Sequence, residues 1–161
     1  MITRLISILV LLISPTIAVS ADISGKVVSV GDGDTITVLS GDKLEHRIRL
    51  AAIDAPEKAQ AFGQRAKQAM SDLCYGKDAQ VKVIDIDRYN RSVGEVRCAG
   101  VYANEAMLSK GMAWVYRKYS KGYGNFYSVE EEARTTSRGL WVDPEPVPPW
   151  EWRKARRAKH H

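Results

Sequence analysis

The chain has 161 residues, of which 45% are hydrophobic and 27% charged, and its mean hydropathy is -0.27. These values are typical of one soluble globular domain; they exclude a disordered polyampholyte and leave little room for a second domain. Lys and Arg number 24 against 19 Asp and Glu, which gives a formal charge of +5 and a pI near 9.2. This modest excess is only weak support for a polyanionic partner.

Residues 1–21 have the pattern of a secretory signal peptide. Arg4 supplies the positive charge, an apolar run follows at Leu5–Ile13, and Val19-Ser20-Ala21 offers small residues for cleavage. The apolar run of about nine residues is much shorter than the roughly 20 that span a bilayer, which argues against a membrane anchor. The sequence therefore predicts a secreted or periplasmic protein that is cleaved near Ala21 and has no integral membrane segment in its mature form.

The mature chain contains two cysteines, Cys74 and Cys98. In an oxidising compartment an even number favours one disulfide, which would close a loop of about 25 residues and stabilise the fold by about 3 kcal/mol. Two free buried thiols are the alternative. A metal site is disfavoured, because ligation by cysteine alone needs more ligands and no histidine lies nearby in sequence.

In chain order, the mature sequence predicts three strands, a helix, two strands and two further helices. Alternating β-branched residues between turn-forming clusters indicate the strands, and apolar residues at helical spacing indicate the helices. The predicted ranges are strands at 26–30, 35–39, 45–53, 80–86 and 92–98 and helices at 59–74, 103–110 and 128–138. Other small α+β domains share this order, but a helix after the third of five strands is typical of an OB-fold. We therefore expect an α+β fold, a five-stranded OB-fold β-barrel with three helices, over residues 22–150.

Three short clusters stand out, at Asp32–Thr35, Arg49–Glu57 and Asp87–Arg91. Each has an ordinary structural explanation when taken alone. Aspartates in a glycine turn form turns, an arginine on a strand is usually solvated, and an acidic residue at the start of a helix usually caps it.

In combination, the clusters contain the groups that phosphodiester hydrolysis requires. Asp34 and Asp54 can supply hard oxygen ligands to Ca²⁺ or Mg²⁺ from adjacent strands. Arg49 and Arg91 can bind a phosphate with both arms of the guanidinium, and Glu57 can activate a water molecule. A cation and two guanidinium groups neutralise the charge that builds on phosphorus, while the base generates the nucleophile.

These clusters, in this order and spacing, resemble those of the staphylococcal nuclease (thermonuclease) family. The resemblance covers roughly residues 24–154 and rests on the Asp32-Gly33-Asp34-Thr35 turn, on Arg49 followed by Asp54 and Pro56-Glu57, and on the Asp87–Arg91 segment. It implies an OB-fold, Ca²⁺-dependent phosphodiesterase, here an exported member of the Gram-negative type. The metal ligands implied are Asp34, Asp54 and the main-chain oxygen of Ala55, the catalytic residues Arg49, Glu57 and Arg91, and the substrate-binding residues Arg88 and Tyr89.

Aromatic and basic residues alternate at Trp114–Tyr119. Stacking on aromatic rings is tolerant of base sequence and contributes about 1–3 kcal/mol per base, so Tyr116 and Tyr119 can bind a single strand. In the family, two tyrosines line the base pocket. The alternative is that Trp114 and Tyr116 pack in the core.

Residues 151–161 form a separate basic tail. It holds five Lys and Arg against one acid, a net charge of +4, which leaves residues 22–150 with no net charge. Three explanations are open. The neighbouring tryptophans can pack on the barrel with the charges solvated, the charges can attract a phosphate backbone, or the tail can adhere to a membrane surface.

The sequence therefore predicts a Ca²⁺-dependent nuclease, by resemblance an endonuclease. Its substrate would be DNA, RNA or both, with little sequence specificity and 3'-phosphate products, and it would be a monomer. The main alternative is a non-catalytic OB-fold module that binds nucleic acid, and a scaffold that binds the cell envelope through the tail is a third.

Overall fold

The computed structural model describes residues 22–159, so the predicted signal peptide and the final His160-His161 lie outside the described residues. The strands are β1 (Ile23–Val30), β2 (Thr35–Ser40), β3 (Glu45–Leu50), β4 (Ile53–Asp54), β5 (Asp78–Ile86), β6 (Ser92–Cys98), β7 (Val101–Tyr102) and β8 (Trp114–Val115). The helices are α1 (Gly63–Cys74), α2 (Ala103–Ser109), α3 (Asn125–Thr135) and α4 (Pro149–Ala158), with 3₁₀ turns at Arg117–Tyr119 and Gly139–Val142. None of these helices is long and apolar enough to cross a membrane.

Five strands form the closed barrel that the sequence predicts. Strands β3, β2, β1, β5 and β6 lie side by side in antiparallel pairs, and a parallel pairing of β3 with β6 closes the sheet on itself. Their inward-facing side chains are aliphatic and fully buried, among them Val27, Ile36, Ile48, Val81 and Val96. The α+β OB-fold is therefore confirmed, and closure removes the exposed edges of the main sheet.

The third strand ends earlier than predicted. Ala52 adopts a left-handed conformation with φ 62°, which ordinary residues avoid, so the chain turns at 51–52 and continues as β4. Strand β4 pairs with β8, with Asp54 opposite Trp114. This kink carries Asp54 out of the direction of β3 and places it beside the turn between β1 and β2.

Helix α1 also begins later than predicted, at Gly63 rather than near residue 59. Phe62 precedes it in a left-handed conformation with φ 64°. A Cβ atom on Gly63 would lie 1.9 Å from the carbonyl oxygen of Glu57, so only glycine permits this close approach. The segment that carries Glu57 is thus packed directly on the first turn of the helix.

The three predicted helices are present, but a fourth, α4, lies in the segment that the sequence analysis treated as a tail. Its first residue, Pro149, has no N–H to donate, which costs nothing at the first position of a helix. Trp150 packs edge to face on Trp114, with ring centroids 5.9 Å apart, and the amide of Gln60 donates to the Val147 carbonyl at 2.6 Å. The segment that leads into α4 is therefore attached to the barrel.

The predicted disulfide joins Cys74, the last residue of α1, to Cys98, the last residue of β6. The two Cα atoms are 5.2 Å apart and both side chains are fully buried. The bridge fixes the end of the helix to the barrel and excludes the alternative of two free thiols.

Replacing both cysteines with alanine should lower the free energy of unfolding by about 3 kcal/mol, because the unfolded chain regains the freedom of a long loop. Urea denaturation of the variant and of the wild type measures the difference. The matched control is urea denaturation of the wild type in the presence of a reductant. Its free energy of unfolding should fall by a similar amount relative to the unreduced wild type. Two titratable thiols in the unfolded, unreduced wild type would contradict the prediction.

Candidate active site

The acidic turn between β1 and β2 is shaped by close packing. The Cβ of any residue other than glycine at position 33 would lie 2.7 Å from the Cβ of Ala55 and 2.8 Å from that of Ala66, so the turn rests against the β4 segment and α1. Asp34 follows in this turn, and its carboxylate Oδ2 accepts a 2.6 Å hydrogen bond from the Ala55 N–H. The first and second clusters of the sequence therefore meet at Asp34 and Ala55.

Arg49 joins the two predicted metal-ligand aspartates. It lies on β3 opposite Thr35 of β2, with its side chain 14% exposed. Its Nη1 forms an ion pair with Oδ1 of Asp34, and its Nη2 donates to Oδ1 of Asp54 at 2.9 Å. Burial opposes the charge of Arg49, but the two carboxylates raise its pKa, so it remains a guanidinium. One cation thus holds both carboxylates at the same end of the barrel.

Asp54 has a second arginine partner, which the sequence analysis did not identify. Arg153 of α4 donates from Nη2 to Oδ2 of Asp54 at 2.7 Å and from Nη1 to Oδ1 at 3.1 Å. The same Nη1 donates to Oε1 of Glu57 at 2.8 Å. At the sequence level Arg153 belongs to a basic tail with no predicted helix, so no contact with Asp54 is expected. Pro149 at the first helical position was the signal that could have shown a helix there.

The carboxylates at this site are crowded, and their pKa values reflect it. Burial, together with the nearby charge of Asp34, raises the pKa of Asp32 to about 7. Burial also raises the pKa of Asp54, although both arginines oppose the shift. For Asp34, burial acts in the same direction, but the charge of Arg49 outweighs it and lowers the pKa. Burial thus disfavours the charged form of all three carboxylates, and the charge of Arg49 overcomes this effect at Asp34.

The donor chemistry of this site fits a hard divalent cation. Asp34 and Asp54 offer carboxylate oxygens, which Ca²⁺ and Mg²⁺ prefer, and a cation would oppose both the burial and the nearby charge of Asp34 that raise the pKa of Asp32. Among residues 22–159, no group of three or more His, Cys, Asp and Glu side chains is arranged to hold a metal ion. The role of the Ala55 carbonyl oxygen as a further metal ligand stays a prediction.

The loop between β5 and β6 brings Arg91 to the same site. Oδ1 of Asp87 accepts from the backbone N–H groups of Tyr89 and Arg91 at 2.9 and 3.0 Å, and its Oδ2 accepts from Nε of Arg91 at 2.7 Å. Burial acts against these bonds, but they lower the pKa of Asp87, which therefore stays ionised. Nη1 of Arg91 lies 3.5 Å from the hydroxyl of Thr35, which in turn donates to Oδ1 of Asp34 at 3.1 Å. The loop is thus linked to the acidic turn.

Tyr89 lies at the tip of this loop and is 64% exposed. The guanidinium of Arg88 lies 4.8 Å from the centre of its ring and that of Arg91 lies 5.6 Å from it. Arg88 also donates to the phenolic oxygen of Tyr89 at 2.7 Å. The two predicted substrate-binding residues therefore adjoin Arg91 on an accessible surface.

The aromatic residues after β8 have separate environments. Trp114 is buried, as the core-packing alternative states, whereas Tyr119 is 57% exposed. Tyr116 is half-buried. Its ring centroid lies 5.0 Å from that of Tyr119. Its other neighbour is Trp150 of α4, whose ring is nearly parallel at an angle of 8° and a centroid distance of 5.7 Å. The role of Tyr116 and Tyr119 in binding bases stays a prediction.

Comparison with known proteins gives matches over most of the chain. Residues 47–143 match the model of a family described as "Staphylococcal nuclease homologue". A "Micrococcal nuclease" from Shigella flexneri is 44% identical over 145 residues, covering 84% of this chain and 83% of that protein. An "Uncharacterized endonuclease" from Escherichia coli O157:H7 is 44% identical over 146 residues, covering 90% of this chain and 94% of that protein.

Proposed function

The chain belongs to the staphylococcal nuclease family, and we propose that this hydrolase of nucleic acids is a Ca²⁺-dependent endonuclease of DNA, RNA or both. One observation carries the proposal. Arg49 joins Asp34 to Asp54, and Arg153 joins Asp54 to Glu57. Arg91 approaches Asp34 through the hydroxyl of Thr35. The five side chains of Asp34, Arg49, Asp54, Glu57 and Arg91 thereby meet at one end of the barrel.

The rival function, a module that binds nucleic acid without cutting it, does not require this arrangement. Transferring a charged side chain from water to the protein interior costs free energy. A groove that only binds nucleic acid can attract phosphate with exposed basic residues alone. Asp54 is 1% exposed and Asp34 is 3% exposed, so this protein buries two carboxyl groups that a simple binding groove would not need. Buried acids with shifted pKa values in such a position favour chemistry over simple binding.

The side chains divide the reaction between them. A bound Ca²⁺ would be held by Asp34, Asp54 and the Ala55 carbonyl and would supply positive charge to the phosphate. Glu57 would accept a proton at its carboxylate as a water oxygen forms its bond to phosphorus. Arg49 and Arg91 would stabilise the extra negative charge on the phosphate oxygens. The bond from phosphorus to the 5'-oxygen would break, and that oxygen would take up a proton. The products would be a 5'-hydroxyl and a 3'-phosphate.

The test is an assay of the purified protein on plasmid DNA and on RNA, with Ca²⁺ or with a chelator. We expect degradation with Ca²⁺ and none with the chelator. Because a 3'-phosphate blocks ligation, the fragments should be ligated at their 3' ends only after phosphatase treatment. Degradation that continues undiminished with the chelator would contradict the mechanism. Retained binding without cutting under any divalent ion would favour the non-catalytic module.

Export is part of the same proposal. Residues 1–21 have the features of a signal peptide, and a disulfide between Cys74 and Cys98 suits an oxidising compartment. Amino-terminal sequencing of the protein recovered outside the cytoplasm should begin at or near Asp22. An intact amino terminus in that fraction would contradict cleavage.

Replacing Lys154, Arg156 and Arg157 with glutamine should weaken substrate capture at low salt without slowing turnover at saturating substrate. All three side chains are exposed on α4, while residues 22–150 carry no net charge. Each lost phosphate contact should reduce the slope of log affinity against log salt by about 1. Binding measured over a range of salt concentrations gives this slope. A fall in turnover with an unchanged slope would show instead that the helix is structural.

A further inference from the structure

Arg153 occupies oxygen atoms that the proposed cation would need. Its guanidinium bonds both carboxylate oxygens of Asp54, at 2.7 and 3.1 Å, and Oε1 of Glu57 at 2.8 Å. Arg49 adds a further donor to Oδ1 of Asp54 at 2.9 Å. Both oxygens of the Asp54 carboxylate therefore already hold a positively charged donor.

A divalent cation and Arg153 cannot both use Asp54 in this way. A cation that coordinates Asp54 needs at least one of its oxygens, and that oxygen would have to give up its bond to the guanidinium. The two positive charges would also repel each other, strongly so because Asp54 is 1% exposed and solvent screens little there. Cation binding at Asp54 therefore opposes the docking of Arg153.

The same helix covers a second part of the proposed substrate site. Trp150, one turn before Arg153 on α4, lies nearly parallel to Tyr116 at a centroid distance of 5.7 Å. Tyr116 is one of the two tyrosines predicted to stack on bases. While α4 is docked, the face of Tyr116 against Trp150 is not available to a base.

Helix α4 depends on its contacts with the barrel, which include the ring contacts of Trp150 and the ion pairs of Arg153. It has 10 residues, which is too short for a stable isolated helix in water, so its structure depends on its contacts with the barrel. Pro149 is its one buried residue. Its remaining basic side chains, Lys154, Arg156 and Arg157, are exposed and can be attracted by a polyanion. Loss of the Arg153 ion pairs would leave the ring contacts of Trp150 with Trp114 and Tyr116 to hold the helix.

We propose that α4 is an autoinhibitory helix: Arg153 fills the cation-binding carboxylates and Trp150 covers Tyr116 until a divalent cation displaces Arg153. This inference rests on the proposed function, because it takes Asp54 as a ligand of the cation. The net positive charge of this segment would indicate attraction to nucleic acid, whereas the contacts of Arg153 and Trp150 indicate inhibition.

The test measures Ca²⁺ affinity by isothermal titration calorimetry, which needs no nuclease activity. Arg153→Gln should bind Ca²⁺ at least about tenfold more tightly than the wild type, a difference of about 1.4 kcal/mol. Arg157→Gln is the matched control, since it removes the same charge from an exposed position on the same helix, and its affinity should stay within about twofold. Arg153→Lys keeps the charge but lacks the planar guanidinium that bonds Asp54 and Glu57 together, so its affinity should lie between those of the wild type and Arg153→Gln.

The variant Asp54→Asn separates failure of this inference from failure of the proposed function. If the wild type and Arg153→Gln bind Ca²⁺ no better than Asp54→Asn, the proposed cation site is wrong and the inference is overturned with it. If binding depends on Asp54 but Arg153→Gln and Arg157→Gln have equal affinities, only the inference is overturned. Weaker binding by Arg153→Gln would show that Arg153 positions the carboxylates instead of blocking them.

Limited trypsin digestion gives a second readout, the docking of α4 itself. Ca²⁺ should accelerate cleavage of the wild type after residues 154, 156 and 157, because a released helix is accessible to the protease. Arg153→Gln should be cleaved rapidly there even without Ca²⁺, and Arg157→Gln should behave as the wild type at its remaining sites. Ca²⁺ that slows cleavage in the wild type would overturn the proposal.

Discussion

Arg91→Gln is expected to reduce turnover at saturating substrate about 10²–10³-fold, the loss seen when one donor that stabilises transition-state charge is removed. The guanidinium is in place for this role before substrate arrives. Asp87 fixes it through Nε at 2.7 Å, and its Nη1 lies 3.5 Å from Thr35, beside Asp34. Glutamine cannot supply a full positive charge to a phosphate whose charge increases during the reaction. Initial rates over a range of substrate concentrations measure the effect.

Arg88→Gln provides the matched control for Arg91. Both arginines lie on the same loop, both have their guanidinium over the ring of Tyr89, and both variants lose one positive charge. Arg88 is exposed and bonds only Tyr89 among the described hydrogen bonds, so we expect its variant to weaken substrate binding less than tenfold and to leave turnover nearly unchanged. Equal losses of turnover in both variants would contradict a specific role for Arg91.

The parts of the site that the sequence predicts are those with short-range signals. Asp34 and Asp54 each follow a strand or a turn that β-branched residues and glycine define, and the barrel brings them together through Arg49. The pairing of Cys74 with Cys98 is predicted from their even number together with the predicted export, and the structure excludes the alternative of free thiols.

The parts that the sequence does not reveal depend on contacts between distant segments. The left-handed turn at Ala52, which redirects β4, has no glycine or asparagine to announce it. Arg153 bonds to residues that precede it by 96 and 99 positions, and no local pattern specifies such a contact. The net charge of the tail suggested long-range attraction to nucleic acid, while the position of this one arginine points to the opposite effect at the site.

Asn104 is a further residue that only the structure singles out. It lies on α2, is fully buried, and has three hydrogen bonds to the backbone of the barrel. Its Oδ1 accepts from the Val96 N–H at 2.9 Å, and its Nδ2 donates to the carbonyls of Ala51 and Gly94 at 3.0 and 3.2 Å. It therefore attaches α2 to β6 and to the turn that leads from β3 to Asp54.

Asn104→Ala should lower the free energy of unfolding by about 4 kcal/mol. The substitution deprives the Val96 N–H and the Ala51 carbonyl of this partner, and each buried polar group left without a partner costs about 1–3 kcal/mol. The space left by the amide adds to this loss. Urea denaturation of the variant and the wild type measures the change, provided that the free energy of unfolding has the same dependence on urea concentration in both proteins.

Asn125→Ala is the control for this substitution, because it removes the same amide from an exposed position whose bond is to Glu105 at 3.1 Å. It should cost less than about 1 kcal/mol, since water replaces the lost bond. Asn104→Asp should be almost as destabilising as Asn104→Ala, because a carboxylate cannot donate to the carbonyls of Ala51 and Gly94 and its charge would be buried. If the Asn104 variants lose no more stability than Asn125→Ala, the turn before Asp54 is held by the barrel strands and not by this amide.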